Sequence, residues 1–277
     1  MPELPEVELV SRSLKTLVSG RMIRSAELRR ERLAPDSTPA EFAAKIGGAT
    51  IDNVGRRGKH ILVELDNGRT LIVHLRMTGR FSLLAAESED PKFSHAVFHF
   101  SEYERLVFDD QRHFGLMKLV ETRELSAAKE LAKLAPEPFS DDFSLAYLRT
   151  ALSASRRSLK EFLLDQTKVC GLGNIYAAEA MFAARIDPRV PTGSLSAKKA
   201  GRLFDSIRGV LGQAMDEGSV AAIDPENIDG RYISGSGERG WLVYGRKDQP
   251  CVNCYSPIVR LIQGGRSTFY CAKCQRP

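Results

Sequence analysis

Two groups of residues in this 277-residue chain have types and spacings that can do chemistry, and they lie at its two ends. Near the C-terminus, Cys251-x2-Cys254 and Cys271-x2-Cys274 are separated by sixteen residues. Two such knuckles on a β-hairpin can set four thiolates tetrahedrally around one zinc ion. Disulfides are the alternative, and they belong to secreted chains. A closed four-cysteine site has no open coordination position, so the ion is expected to stabilise a hairpin rather than react. At the other end the chain begins Met1-Pro2-Glu3-Leu4-Pro5-Glu6. Removal of Met1 would free the secondary amine of Pro2. An α-amine titrates near pH ~8, and the positive end of a following helix disfavours its protonated form. Such an amine can condense with a sugar C1′, giving a permanently cationic iminium that acidifies the C2′ proton and allows elimination of the 3′-phosphate without a metal. Glu3 beside it can carry protons, although a carboxylate there is equally a favourable charge at a helix start.

The elements that must position these groups follow from periodicity. Val7, Val10, Leu14 and Leu17 recur at helical intervals between Pro5 and Gly20, so residues 5–19 are expected to form an amphipathic helix with Pro2 and Glu3 just before it. From Gly20 to about Glu121, runs such as Ile61-Leu62-Val63 and Leu71-Ile72-Val73, joined by Asp66-Asn67-Gly68, indicate a strand-rich domain. Residues 122–141, with Pro136 and Pro138, form a connector. Helical spacing returns with Leu159, Phe162 and Leu163, and again with Leu203, Ile207, Val210 and Ala214. The glycine-rich stretch 218–240 has no sustained period and is expected to be a mobile loop. Cys170 is expected to be a buried free thiol in an apolar helical stretch. The tip Gly264-Gly265-Arg266 would turn a guanidinium outward, suited to phosphate or a base edge, or simply solubilising. The expected class is α+β and multidomain, with boundaries at 1–125, 126–230 and 231–277.

Net charge is +5, and it is unevenly spread: residues 231–277 hold eight Lys or Arg against two acids. A basic segment of this kind attracts phosphate backbones. No apolar run approaches the roughly 20 residues that a membrane helix needs. The acidic, proline-containing start differs from a secretory signal, so a cytoplasmic protein is expected.

Seven motifs in order then resemble the formamidopyrimidine-DNA glycosylase family across the chain: Met1 to Glu8, Arg56-Arg57-Gly58-Lys59, His74 to Gly79, Arg112-His113-Phe114-Gly115, Gly171 to Tyr176, Val243 to Lys247, and the cysteine hairpin with Arg266 to Cys271. The resemblance implies an N-terminal β-sandwich with a leading helix, a helix-two-turn-helix domain and a C-terminal zinc finger holding one structural zinc ion. It implies a monomer that acts on damaged double-stranded DNA, removing oxidised purines and cleaving the strand at the resulting abasic site. Pro2 matches the nucleophile, Glu3 the proton shuttle, Lys59 a basic group at the sugar and phosphate, and Arg266 the finger arginine of the second elimination. Met77, Arg112 and Phe114 match the residues that fill the void left by an extruded nucleotide. His74, Arg157, Asn174 and Tyr244 match DNA contacts. Phe93 and Ser94 depart from the histidine and acid expected before His95, His113 stands where a basic residue is common, and Val220 to Gly240 departs from the lesion-capping loop. An oxidised-pyrimidine enzyme similar to endonuclease VIII, and a zinc protein that binds DNA without catalysis, are the competing readings.

Overall fold

The computed structural model describes residues 1–219, 222–230 and 240–277. They divide into two compact units, Met1–Ala132 with Glu217–Ser236, and Lys133–Asp216 with Gly237–Pro277.

The first unit opens with helix α1 (Leu4–Val18). Pro5 suits its first turn, where an amide N–H would have no partner. Val7, Val10, Leu14 and Val18 sink into the core, while Leu17 packs only at its margin. The buried stripe therefore closes on Val18 rather than Leu17.

Two antiparallel four-stranded sheets follow. One has β2 (Ile51–Arg57), β3 (His60–Leu65), β4 (Arg69–His74) and β8 (Leu116–Glu121) in the order β2-β3-β4-β8. The other has β1 (Ser25–Leu28), β6 (Ser94–His99), β7 (Glu104–Asp110) and β5 (Gly79–Ala85) in the order β1-β6-β7-β5. A single apolar cluster joins Ile61, Val63 and Leu71 from the first sheet with Phe81, Phe98 and Phe108 from the second, and α1 lies against β2 and β3. Each fully buried side chain of this size contributes roughly 1.5–3 kcal/mol, so the sheets are fixed on one another by their inner faces. The Asp66-Asn67-Gly68 turn joins β3 to β4 as expected, with Gly68 at φ +78°.

Two departures from the periodicity reading stand out in this unit. Helix α2 (Pro39–Ile46) interrupts the strand-rich region. Its signal is local: Thr38 Oγ1 accepts from Glu41 N at 3.2 Å while Glu41 Oε2 accepts from Thr38 N at 2.9 Å, and Phe42 and Ile46 are buried. The expected mobile loop is also held in its described part. Ile228 bridges Phe81, with N···O distances of 2.8 and 3.1 Å, and Leu83 N donates to Pro225 O at 2.7 Å. The segment thus covers the free edge of β5. Gly230 approaches α1 so closely that a Cβ there would lie 2.5 Å from Glu6 O. Ser234 to Gly237 lie outside the described residues.

The second unit contains α3 (Leu145–Ser153), α4 (Leu159–Leu164), α5 (Asn174–Ala183) and most of α6 (Ala197–Ser219), then the hairpin β9 (Val259–Gln263) and β10 (Arg266–Tyr270). Helix α6 continues through Ser219, past the expected start of the loop. Cys170 is fully buried and has no disulfide, but it sits in the turn between α4 and α5 rather than in a helix. No helix among the described residues is long and apolar enough to cross a membrane.

Candidate catalytic and nucleic-acid-binding site

Pro2 is half-buried immediately before α1, and Glu3, at 2% exposure, is the helix N-cap. Its backbone N–H donates to Glu6 Oε2 at 2.8 Å, which fixes the path of the chain into the helix. The Pro2 nitrogen and the Glu3 carboxylate therefore sit at the positive end of a fifteen-residue helix. An ionic link joins this helix to the turn carrying Lys59. Arg56 Nε donates to Glu8 Oε2 at 2.8 Å, and Arg56 Nη1 donates to Gly58 O, also at 2.8 Å. Burial resists ionisation of Glu8, but Arg56 and Arg12 outweigh it and hold the carboxyl below its usual range. Gly58, at φ +60°, and Lys59 make the two-residue turn between β2 and β3. Lys59 is only 6% exposed, so it is not a solvated strand-edge lysine.

Beside this turn, His60 and His74 meet edge to face at 4.7 Å. Burial pushes His60 down to about 4 and His74 down to about 3. His74 Nδ1 accepts from Arg76 N at 3.0 Å, so the neutral ring carries its proton on Nε2 and can donate to a phosphate oxygen. The unfolded imidazoles take up protons near pH ~6.5 while the folded ones refuse them, so their contribution to stability is full above that pH and falls as pH drops towards 4. Thermal midpoints measured from pH 7.5 to 4.5 are expected to fall less steeply for His60→Gln than for wild type. Identical slopes would refute this account.

Met77, Arg112 and Phe114 lie on two connections of the same unit, and all three are exposed, Met77 at 41% and Phe114 at 55%. Neither apolar side chain is part of the core. The Arg112 guanidinium lies 5.2 Å over the Phe114 ring. His113, at φ +60°, packs on Phe93 at 5.5 Å and shares a 2.9 Å contact between its Nδ1 and His95 Nε2. The departures at Phe93 and His113 are thus adjacent in space, with an aromatic pair between them.

In the second unit, Asn174 opens α5 after Gly173, and its Nδ2 donates to Ser267 O at 3.1 Å and lies 3.5 Å from Tyr244 Oη. Tyr244 packs edge to face on Phe269 at 5.2 Å. Sequence reasoning missed two residues here. Lys160 is fully buried and its Nζ donates to Ser267 O at 2.6 Å and Thr268 Oγ1 at 2.7 Å, next to Arg266. Glu179 is 4% exposed and accepts from the N–H groups of Leu242, Val243 and Tyr244 at 2.9–3.0 Å. Buried charges need such partners, and these two fix β10 itself and the segment 242–244 that precedes the hairpin. A lysine inside Leu159-Lys160-Glu161-Phe162-Leu163 was the available signal for the first. Arg157 is exposed and donates to Asp165 Oδ2 at 3.0 Å, a surface pair worth ~0–1 kcal/mol that a phosphate can displace cheaply.

Arg266 begins β10 and is exposed beyond a two-residue turn, Gly264 and Gly265, both with positive φ as a type I′ turn demands. The four cysteine Sγ atoms lie within 4.8 Å of one another, with Cys251–Cys274 at 3.9 Å and Cys254–Cys271 at 3.4 Å. Tetrahedral sulfurs bound at ~2.3 Å lie ~3.8 Å apart, so the quartet fits one zinc ion.

A sandwich with a leading helix, a helical unit and a four-cysteine hairpin define a modular zinc protein of the α+β class. Residues 1–117 match the formamidopyrimidine-DNA glycosylase N-terminal domain, 134–224 the H2TH domain of the same enzymes, and 248–277 the zinc finger found in FPG and IleRS. The formamidopyrimidine-DNA glycosylase of Bacillus subtilis (strain 168) is 41% identical, covering 99% of each chain. The Lactococcus lactis Fpg in complex with an abasic site containing DNA has a TM-score of 0.90 at 32% identity, covering 99% of this chain and 100% of that one. The same Lactococcus protein with an oxidized pyrimidine containing DNA gives a TM-score of 0.89 at 32% identity, covering 100% of both chains. The chain belongs to the formamidopyrimidine-DNA glycosylase family, and its four cysteines hold one structural zinc ion.

Proposed function

We propose that this chain excises oxidised purines, 8-oxoguanine and formamidopyrimidines, from double-stranded DNA and then cleaves the strand, with the mature N-terminal amine of Pro2 as nucleophile. The observation that carries this reading is the ionic link Glu8–Arg56–Gly58, which ties the helix behind Pro2 and Glu3 to the turn that bears Lys59. Attack of the Pro2 nitrogen on C1′ breaks the glycosidic bond, and Glu3 protonates the sugar ring oxygen as the ring opens to the iminium. Glu3, left ionised, takes the C2′ proton, and the 3′-phosphate departs with its bonding pair. A second elimination, assisted by Arg266, expels the 5′-phosphate. Lys59 and His74 meet the sugar–phosphate at the reacting nucleotide. Arg157, Asn174 and Tyr244 grip neighbouring phosphates, and α5 offers its N-terminal N–H groups beside Asn174. Met77 and Phe114 substitute for the stacking of the extruded nucleotide while the Arg112 fork satisfies the orphaned base.

Residues 1–125 act as the catalytic domain, 126–230 as the helix-two-turn-helix domain with the lesion loop, and 231–277 as the finger. The enzyme works as a monomer on nucleoid DNA in the bacterial cytosol.

A second reading, preference for oxidised pyrimidines, is raised by the Lactococcus protein's complex with such DNA. The exposed Arg112 and Phe114 pair favours the purine reading. Under single-turnover conditions the full-length mature enzyme is expected to release 8-oxoguanine opposite cytosine faster than thymine glycol. The reverse order would reject the purine assignment.

A further inference from the structure

The two connections that carry Met77, Arg112 and Phe114 are not independent loops. Between them lies Asp110, the last residue of β7, which is 0% exposed. Its Oδ1 accepts from the Thr78 hydroxyl and from Arg112 N at 3.2 Å, and its Oδ2 accepts from Gly115 N at 2.6 Å. The Thr78 hydroxyl donates to Asp110 and in turn accepts from Arg112 N at 3.0 Å. One carboxylate and one hydroxyl therefore fasten the residue after Met77 to the residues on both sides of His113 and Phe114.

The backbone leaves this clamp little slack. Gly79 pairs with Asp110 across β5 and β7, and a Cβ on Gly79 would meet Leu75 O at 2.5 Å and Phe108 Cζ at 2.8 Å. A Cβ on Gly115 would meet the same Phe108 ring at 2.8 Å. Arg76 and His113 both hold left-handed φ, at 55° and 60°, conformations that non-glycine residues keep only where surroundings impose them. Each connection thus ends on a glycine packed against one buried ring and contains one non-glycine residue of left-handed φ. Asp110 supplies the hydrogen bonds that span the two.

We propose that Asp110, acting with Thr78, is a positioning residue that registers the two void-filling connections as one rigid wedge, so that Met77, Phe114 and Arg112 enter the duplex together. The inference rests on the void-filling role proposed above. A wedge of this kind is needed only where a base stack must be breached, because an unpaired strand has no partner base left orphaned and no stack to rebuild.

The test uses the full-length zinc-loaded chain lacking Met1 and compares borohydride-trapped Schiff-base formation at an abasic site in a duplex with the same site in an unpaired strand. Asp110→Asn and Thr78→Val are expected to slow the duplex reaction about tenfold and the unpaired reaction much less, while Thr78→Ser, which keeps the hydroxyl, behaves as wild type. Thr78→Val carries the test if Asp110→Asn does not fold. Equal losses on both substrates, or no loss on the duplex, would overturn the proposal, since a merely structural defect lowers both rates together. Met77→Ala and Arg112→Ala separate the two ideas. If they lose the duplex reaction while Asp110→Asn and Thr78→Val keep it, void filling stands and the registering role falls. If they too keep it, both fall.

Discussion

A form of the enzyme that retains Met1 is expected to yield no covalent adduct with abasic DNA under borohydride, and Pro2→Gly is expected to lower trapping and strand cleavage by about a thousandfold, or ~4 kcal/mol of barrier. In the retained form the Pro2 nitrogen is a tertiary amide whose lone pair is delocalised into a carbonyl, so it cannot attack C1′. Glycine restores a free amine but a primary one, whose imine must be protonated before it withdraws electrons from C2′; proline's iminium is cationic from the outset. Glu3→Gln is expected to divide the reaction. Base release falls by ~10²–10⁴, the range for loss of a positioned proton donor, whereas trapping on a pre-formed abasic aldehyde, whose glycosidic bond is already gone, falls much less. Mass spectrometry of the trapped adduct places the sugar on residue 2. An adduct of undiminished yield from the Met1-retaining protein would remove Pro2 as the nucleophile.

Stripping the zinc ion, by a chelator or by Cys254→Ser, is expected to weaken binding to a duplex containing an abasic-site analogue by more than about a hundredfold, with strand cleavage lost in parallel. Structural zinc contributes ~10–16 kcal/mol to small fingers, and the apolar cluster of this hairpin is small. Its apolar cluster comprises Ala178, Phe182, Val243, Ile258 and Phe269 together with the buried cysteines themselves. Without the ion, four thiols gathered within 4.8 Å of one another have no reason to converge, Tyr244 loses the Phe269 ring it packs on, and the anchors of Arg266 at Ser267 and Thr268 go with them. Fluorescence anisotropy with labelled duplex, before and after zinc is restored, measures the loss and its reversal. Full affinity in a protein shown to be metal-free would contradict the positioning role of the finger.

Legibility of the chain followed how local each determinant is. Helix α1 was readable because its buried stripe and Pro5 lie within fifteen residues, and the β3–β4 turn because Asp66-Asn67-Gly68 specifies its own conformation. The cysteine quartet was readable because ligand spacing is itself the signal. Helix α2 carries an equally local capping box at Thr38 and Glu41, but it is short and embedded among strands, so the surrounding period obscured it. What lay out of reach depends on partners distant in sequence. Lys160 is buried because Ser267 and Thr268 accept from it more than a hundred residues later, and Glu179 because three N–H groups at 242–244 converge on it. Asp110 belongs here through Thr78, 32 residues before it, although its bonds to Arg112 and Gly115 are local. Charged residues are ordinarily read as solvated, and only the fold reveals which of them organise backbone instead. The segment 222–230 lacks a period because its order comes from the open edge of β5, not from its own residues.

The Gly264-Gly265 turn bears on how this hairpin can change through evolution. Side chains alternate between the two faces of a ribbon, so losing or gaining one residue at the turn would invert the facing of β10 relative to β9. Arg266 would then swing to the opposite side, and Phe269 would trade its apolar neighbours for water. Length at this point is therefore frozen, while the identity of an exposed side chain such as Ile262 is free to drift.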